Sequence, residues 1–131
     1  MRYLVDTQIF IWTLISPEKL SMPTRQILQN HEIFVSQVSL FEIAIKQKIG
    51  KLPEFPLTIT LLAERIEQDN FNLLPITTNH IGAYGSIPLL EDHRDPFDRL
   101  LLAIALSENM PIISSDANFA YYSSLIQFVE N

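Results

Sequence analysis

Short apolar runs alternate along the chain with longer stretches whose apolar residues recur every three or four positions. Arg2–Val5 (RYLV) is an apolar run halted by Asp6 and predicts a buried strand. Gln8–Ile15 carries helical spacing until Ser16-Pro17 stops it. Ser21-Met22-Pro23 reads as a cap followed by an early-helix proline, opening a helix that runs to Asn30. Ile33–Val35 predicts a second strand, and Ser36 can cap the helix after it. In that helix Val38, Phe41, Ile45 and Ile49 share one face, and Gly50 is placed to end it. Leu52–Pro56 reads as a proline-rich turn, Thr58–Gln68 as an amphipathic helix, Phe71–Ile76 as a third strand and Thr77–Tyr84 as a short helix. Asp95-Pro96 opens a helix through Asn109, and Pro111–Ser114 and Leu125–Val129 predict the last two strands.

Strands that are apolar throughout, separated by helices, imply a parallel sheet covered on both faces. The chain has 131 residues, room for one domain and no second core. In such folds ligands gather at the carboxyl ends of the strands, which makes the position of each acid informative.

Composition narrows the chemistry. There is no cysteine, so disulfides, thiolate metal sites and cysteine nucleophiles are excluded. The apolar start is broken at Asp6 with no small-residue cleavage site after it, which argues against a signal peptide. The longest uninterrupted apolar run, Leu100–Leu106, is too short to span a bilayer. A cytoplasmic protein with no membrane partner is the expectation. A formal charge of −6 argues against gripping nucleic acid by bulk electrostatics. It leaves room for a nuclease, because carboxylates that bind a cation count as negative until loaded.

Four acids fall where that rule would place a site. Asp6 follows the first strand, Asp116 follows the strand Pro111–Ser114, and Glu42 sits about two turns into the helix after Ile33–Val35. Asp98 lies in the first turn of the helix opened by Asp95-Pro96 and joins them if that helix starts at the same edge. Hard carboxylate oxygens suit magnesium or manganese. Each acid also has a plain structural role open to it: Asp6 and Asp116 as turn or cap residues, Glu42 on a solvated helix face, Asp98 as a favourable charge at a helix start. Asp95 before proline reads as the cap itself.

Four segments carry a resemblance: LVDTQIFIW (Leu4–Trp12), VSQVSLFEIAIKQKIGKL (Val35–Leu52), HRDPFDRLLLAIAL (His93–Leu106) and IISSDANF (Ile112–Phe119). In this order and spacing they resemble the PIN-domain family, specifically the VapC-like toxin ribonucleases of type II toxin–antitoxin systems. The resemblance implies a three-layer α/β/α sandwich with a central parallel sheet, one PIN-like domain over residues 1–131, and magnesium-dependent cleavage of RNA, with manganese as a substitute. It maps the catalytic, metal-binding acids onto Asp6, Glu42, Asp98 and Asp116. Asp6 and Asp98 are then direct ligands, Glu42 completes the shell or orients water, and Asp116 acts through water or at a second site. Thr7, Ser114 and Ser115 would orient these carboxylates. Gln8, Phe41 and Ile104 stand where the family often has histidine, tryptophan and glutamine, and none of these departures removes a carboxylate. The implied partners are an RNA substrate, an antitoxin protein and a second copy of the chain. Phe10, Trp12 and Phe41 are candidates for an antitoxin groove, Phe41 being read rather as core.

Within that frame Lys46 and Arg99 are candidate substrate-binding cations. Lys46 is one helical turn from Glu42 and can pair with it; Arg99 adjoins Asp98. Lys48, Lys51 and Arg94 have a solvated face as their plain alternative, and His80 and His93 read as surface or helix-end residues. A phosphoacceptor receiver domain would need a lysine after a late strand, and the last lysine is Lys51. A haloacid-dehalogenase-type phosphatase would need an acid where Gln8 stands, and three glycines make no phosphate loop. The rival of another class is a catalytically silent PIN-like scaffold that binds a protein partner.

Overall fold

A computed structural model describes every residue except Glu54 and Pro56; the turn expected over Leu52–Pro56 falls partly on these two and to that extent lies outside the described residues. Five strands, β1 (Arg2–Val5), β2 (Glu32–Ser36), β3 (Asn72–Leu74), β4 (Ile112–Ser114) and β5 (Phe128–Glu130), form one parallel sheet in the order β3-β2-β1-β4-β5. The helices are α1 (Thr7–Ile15), α2 (Met22–Asn30), α3 (Gln37–Lys48), α4 (Ile59–Gln68), α5 (Thr78–Ala83) and α6 (Pro96–Glu108).

Alternation along the strands sorts the core into two layers. Tyr3 and Val5 of β1, Ile33 and Val35 of β2, and Ile113 of β4 face one side, where they pack against Ile9 and Phe10 of α1, Ile43 of α3, and Leu62 and Ile66 of α4. Leu4 and Ile112 face the other side, against Leu101, Leu102 and Ile104 of α6 together with Phe119 and Tyr122. This is the three-layer α/β/α sandwich expected from the apolar strands. β1 lies at its centre, and full burial of one such aliphatic side chain contributes about 1.5–3 kcal/mol.

Local chemistry sets the helix ends. The hydroxyls of Ser21, Ser36, Thr58 and Thr77 each accept a first-turn backbone N–H. Asn109 ends α6 in the left-handed conformation at φ 53°, and Gly50, just past α3, has φ 73°. Two strands differ from expectation by more than one residue at an end. The third strand is only Asn72–Leu74, and the fifth is Phe128–Glu130, because Ile126 is buried against the α6 layer ahead of the extended segment. Short 3-10 turns at Pro17–Lys19, Tyr84–Ser86 and Ala117–Tyr122 were not foreseen.

Candidate active site at the carboxyl edge of the sheet

Asp6 is the hinge between β1 and α1. Its backbone N–H donates to the Ile113 carbonyl at 3.0 Å, holding it beside β4. Its Oδ1 accepts the Ile9 N–H at 2.8 Å, capping α1, while Oδ2 accepts the Ser114 hydroxyl. The structural role open to Asp6 is therefore filled, and the carboxyl is also 5% exposed. Both oxygens keep a lone pair after these bonds.

Ser36 ends β2 and caps α3 through the Val38 N–H at 3.0 Å. Glu42 follows on the inward side of that helix. Its Oε1 accepts the Thr7 hydroxyl at 2.8 Å, and Lys46 Nζ lies 3.3 Å from its Oε2. Ser39, fully buried one turn earlier, places its hydroxyl 2.9 Å from Thr7 Oγ1.

Asp95 caps α6, its Oδ1 accepting the N–H groups of Phe97 at 2.8 Å and Asp98 at 3.1 Å. This turns Asp98 back towards the sheet edge, where Asp98 Oδ2 sits 3.2 Å from His93 Nε2. Asp116 begins the turn after β4. Its Oδ1 accepts the Asn118 N–H at 2.9 Å, and its own N–H donates to Ser114 Oγ at 3.0 Å. Ser114 therefore ties Asp6 to Asp116.

The acids feel one another. Asp6 is pushed from 3.8 up to about 7, chiefly by burial, with the charges of Asp98 and Glu42 adding to it and the hydrogen bonds from Ser114 and the Ile9 N–H opposing. Asp98 is pushed from 3.8 up to about 6, again first by burial, then by Asp95 and further by Glu42, with His93 opposing. Asp98 and Asp116 each offer an oxygen to a group completed by His93, the three ligand atoms lying within 4.8 Å of one another. Carboxyls held above their ordinary range by burial, with their neighbours' charges adding to it, are what a cation between them would relieve. The donors are hard oxygens, so the residues fit magnesium or manganese.

Other expected site residues are placed differently. Arg99 is turned away from the acids: its guanidinium is buried, bonded to the carbonyls of Ile87 (2.9 Å) and Pro88 and to the Tyr84 hydroxyl (3.2 Å), and stacked 5.0 Å from the Tyr84 ring. Its hydrogen-bonded donors serve Tyr84 and the carbonyls of the loop before α6, with the Tyr122 hydroxyl also beside it, which places it as a structural anchor rather than the substrate contact expected. Ser115, the residue just past the end of β4, is exposed, and among the described residues no hydrogen bond joins it to the acids. Lys48, Lys51 and Arg94 are exposed.

Phe41 is 60% exposed, paired edge-to-face with Phe97 at 5.9 Å, and is not core; Phe10 is core, and Trp12 is half-buried under Lys19. Neither His80 nor His93 is a surface residue, though His80, in the first turn of α5, is at a helix end as expected. His80 is fully buried, accepting the Thr77 N–H and lying 3.0 Å from Glu108 Oε2. His93 is 4% exposed, with Nδ1 2.8 Å from the Tyr122 hydroxyl. His93 and Ser39 are the residues that sequence reasoning missed at the site. Ser39 was within reach, because a position three before Glu42 shares its helix face.

The larger surface hollows lie elsewhere. One of about 530 Å³, lined by Thr13, Leu20, Arg25, His31, Asp69 and Phe71, is formed by segments that lead into β2 and β3, at the amino edge. The acid cluster, and not this volume, is the candidate site, since its carboxyls are raised by burial and by one another's charge.

A parallel sheet layered by helices, with carboxylates converging at its carboxyl edge, defines the class as an α/β/α domain with an acidic edge. The PIN domain model matches residues 3–125, and the chain belongs to that family. Its fold is that of VapBC structures. VapBC2 from Rickettsia felis, solved bound to a DNA fragment from its promoter, matches at TM-score 0.72 and 16% identity, covering 100% of this chain and 99% of that one. VapBC-1 from nontypeable Haemophilus influenzae matches at TM-score 0.66 and 20% identity, covering 99% and 98%. DNA-bound VapBC from Salmonella typhimurium matches at TM-score 0.68 and 15% identity, covering 99% and 98%. No curated protein matches the sequence. Among the described residues no helix is long and apolar enough to cross a membrane.

Proposed function

We propose that the chain is a magnesium-dependent endoribonuclease, the toxin member of a toxin–antitoxin pair acting in the cytoplasm. The observation that carries this reading is the convergence of Asp6, Glu42 and Asp98 from three separate segments, with two carboxyls pushed up to about 7 and about 6. A bound magnesium ion, or manganese in its place, supplies Lewis acidity and a water of lowered pKa. Asp6 and Asp98 would hold it directly, with Glu42 and Asp116 completing the shell or acting through water.

The remaining work falls to this chain's own groups. Thr7 holds Glu42 in one orientation, and Ser114 does the same for Asp6. Lys46 partly neutralises Glu42 and stands where an incoming phosphate oxygen can share its charge. With Arg99 buried and the net charge at −6, little electrostatic grip remains for a long backbone, which supports a short RNA footprint. Attack by water leaves 5′-phosphate and 3′-hydroxyl ends; cyclic 2′,3′-phosphate ends would contradict it.

The antitoxin reading is supported by the VapBC complexes that share the fold. A hollow of about 470 Å³ along α1, lined by Gln8, Ile11, Trp12, Ile15, Lys19 and Leu52, offers an apolar floor beside the Asp6 helix for such a partner. The exposed Phe41 is a second contact. A homodimer belongs to the same proposal and is checked by sedimentation.

The test is incubation of the purified protein with a labelled RNA pool, with and without magnesium, beside Asp98→Asn. Cleavage that needs metal and vanishes in the variant is the expected result. No cleavage, together with no magnesium binding, would favour the protein-binding scaffold instead.

A further inference from the structure

One imidazole stands among the acids, and nothing in the reading above uses it. His93 sits in the loop before α6, its ring wedged between Phe119, with centroids 5.5 Å apart, and Tyr122, at 5.4 Å. Its two nitrogens have two outlets: Nδ1 lies 2.8 Å from the Tyr122 hydroxyl and Nε2 lies 3.2 Å from Asp98 Oδ2. The ring is thus fixed with one nitrogen aimed into the acid cluster. We propose that His93 Nε2 is a nitrogen ligand that, with Asp98 and Asp116, makes a mixed nitrogen–oxygen site preferring first-row transition ions such as Mn²⁺ or Co²⁺ to Mg²⁺. The proposal rests on the reading of the acid cluster as a metal site.

Three features support it. The ligand atoms of His93, Asp98 and Asp116 lie within 4.8 Å of one another. Two ligands on one ion at about 2.1 Å are about 3.0 Å apart when adjacent and about 4.2 Å when opposite. The 3.2 Å between His93 Nε2 and Asp98 Oδ2 already suits an adjacent pair, and Asp116 need only draw in to complete the group. Next, the far side of the ring is braced as metal-bound histidines usually are. Nε2 can bind an ion only with its proton on Nδ1, and the Tyr122 oxygen can accept that proton. Without an ion the same hydroxyl can donate to Nδ1 while Nε2–H donates to Asp98. Tyr122 therefore serves both tautomers, where a backbone carbonyl would serve only one. Finally, Asp116 has Oδ1 engaged by the Asn118 N–H and keeps Oδ2 for a ligand.

The chemical consequence is selectivity. Carboxylates alone suit Mg²⁺ and Mn²⁺ alike, whereas an imidazole adds affinity along the first transition series and little for Mg²⁺. A purely bracing His93, holding Asp98 by its hydrogen bond, would serve both ions equally.

Pulsed electron paramagnetic resonance of Mn²⁺ bound to the full chain tests this directly. The expected result is coupling to a directly bound ¹⁴N nucleus in the wild type, absent in His93→Gln. With it, Mn²⁺ affinity falls about 10–100-fold in the variant, and Mg²⁺ affinity, measured by competition, changes by less than about threefold. The wild-type spectrum keeps the test valid even if His93→Gln fails to fold. Mn²⁺ binding without nitrogen coupling overturns the assignment and leaves the metal site intact, as does coupling that persists in a folded His93→Gln. Binding of neither ion to the wild type overturns both.

Discussion

Replacing Asp6 with asparagine is expected to stabilise the metal-free protein at neutral and alkaline pH. The folded carboxyl holds its proton up to about pH 7, against an ordinary value of 3.8. Folding therefore takes up a proton between these two values. The stability tied to Asp6 is complete below about pH 4 and is lost as pH rises through about 7. A difference of about three pH units at 1.36 kcal/mol each amounts to about 4 kcal/mol. Asparagine does not titrate, its oxygen keeps the cap on the Ile9 N–H, and its amide can donate to Ser114 Oγ, so little else is removed. Some slope remains in the variant, because Asp98 is raised in the same sense.

The assay is urea unfolding of both proteins in a chelator at intervals from about pH 4 to about pH 8. The wild type is expected to lose several kcal/mol relative to Asp6→Asn across that range, most of it between about pH 5 and about pH 7. Magnesium then restores the wild type and does nothing for the variant. Parallel stability curves for the two proteins would refute the reasoning, since they would mean the buried carboxyl ionises without penalty.

Arg99→Lys is expected to cost about 2–4 kcal/mol, because an ammonium cannot serve two carbonyls and the Tyr84 hydroxyl at once; thermal melts measure it, and cleavage per folded molecule stays unchanged. Ser114→Ala lowers magnesium affinity about tenfold by freeing Asp6 Oδ2, while Ser115→Ala leaves it unaltered; calorimetric titration of both separates the two neighbours. Thr7→Val removes the donor to Glu42 and slows cleavage about 10–100-fold at saturating magnesium. An unchanged rate would show that the orientation of Glu42 does not matter.

Much of the frame is legible in the sequence because its signals are local. Strand β1 ends at an acid, and Ser21, Ser36 and Asp95 cap the helices they precede. The candidate acids are legible in the same way, by their distance from strand ends and helix starts. What escaped depends on distant partners. His93 is buried because Tyr122 meets it from 29 residues away, and His80 because Glu108 does so from 28. Arg99 misled by adjacency: consecutive residues on a helix point about 100° apart, so a neighbour of Asp98 faces a different wall. Ser115 misled in a similar way: it adjoins Ser114 in sequence, but it lies past the end of β4, where the chain bends into solvent. Phe41 reads as core because its spacing matches Val38 and Ile45, but the buried face of α3 runs through Ser39, Leu40 and Ile43, and Phe41 lies to the side of it with its ring in solvent. The 3-10 turns are too short to show a period at all.

The order of the strands has a further consequence for synthesis. The central strand β1 is made first, yet its neighbour β4 emerges more than a hundred residues later. A nascent chain that has not yet reached β4 already carries Asp6, Glu42 and Asp98, but it lacks Ser114 to fasten Asp6 and the Ile113 carbonyl that holds the Asp6 backbone. The cluster cannot close on the ribosome until β4 has emerged. On the proposed function, a product that stops short of β4 would lack the fastened cluster on which cleavage depends.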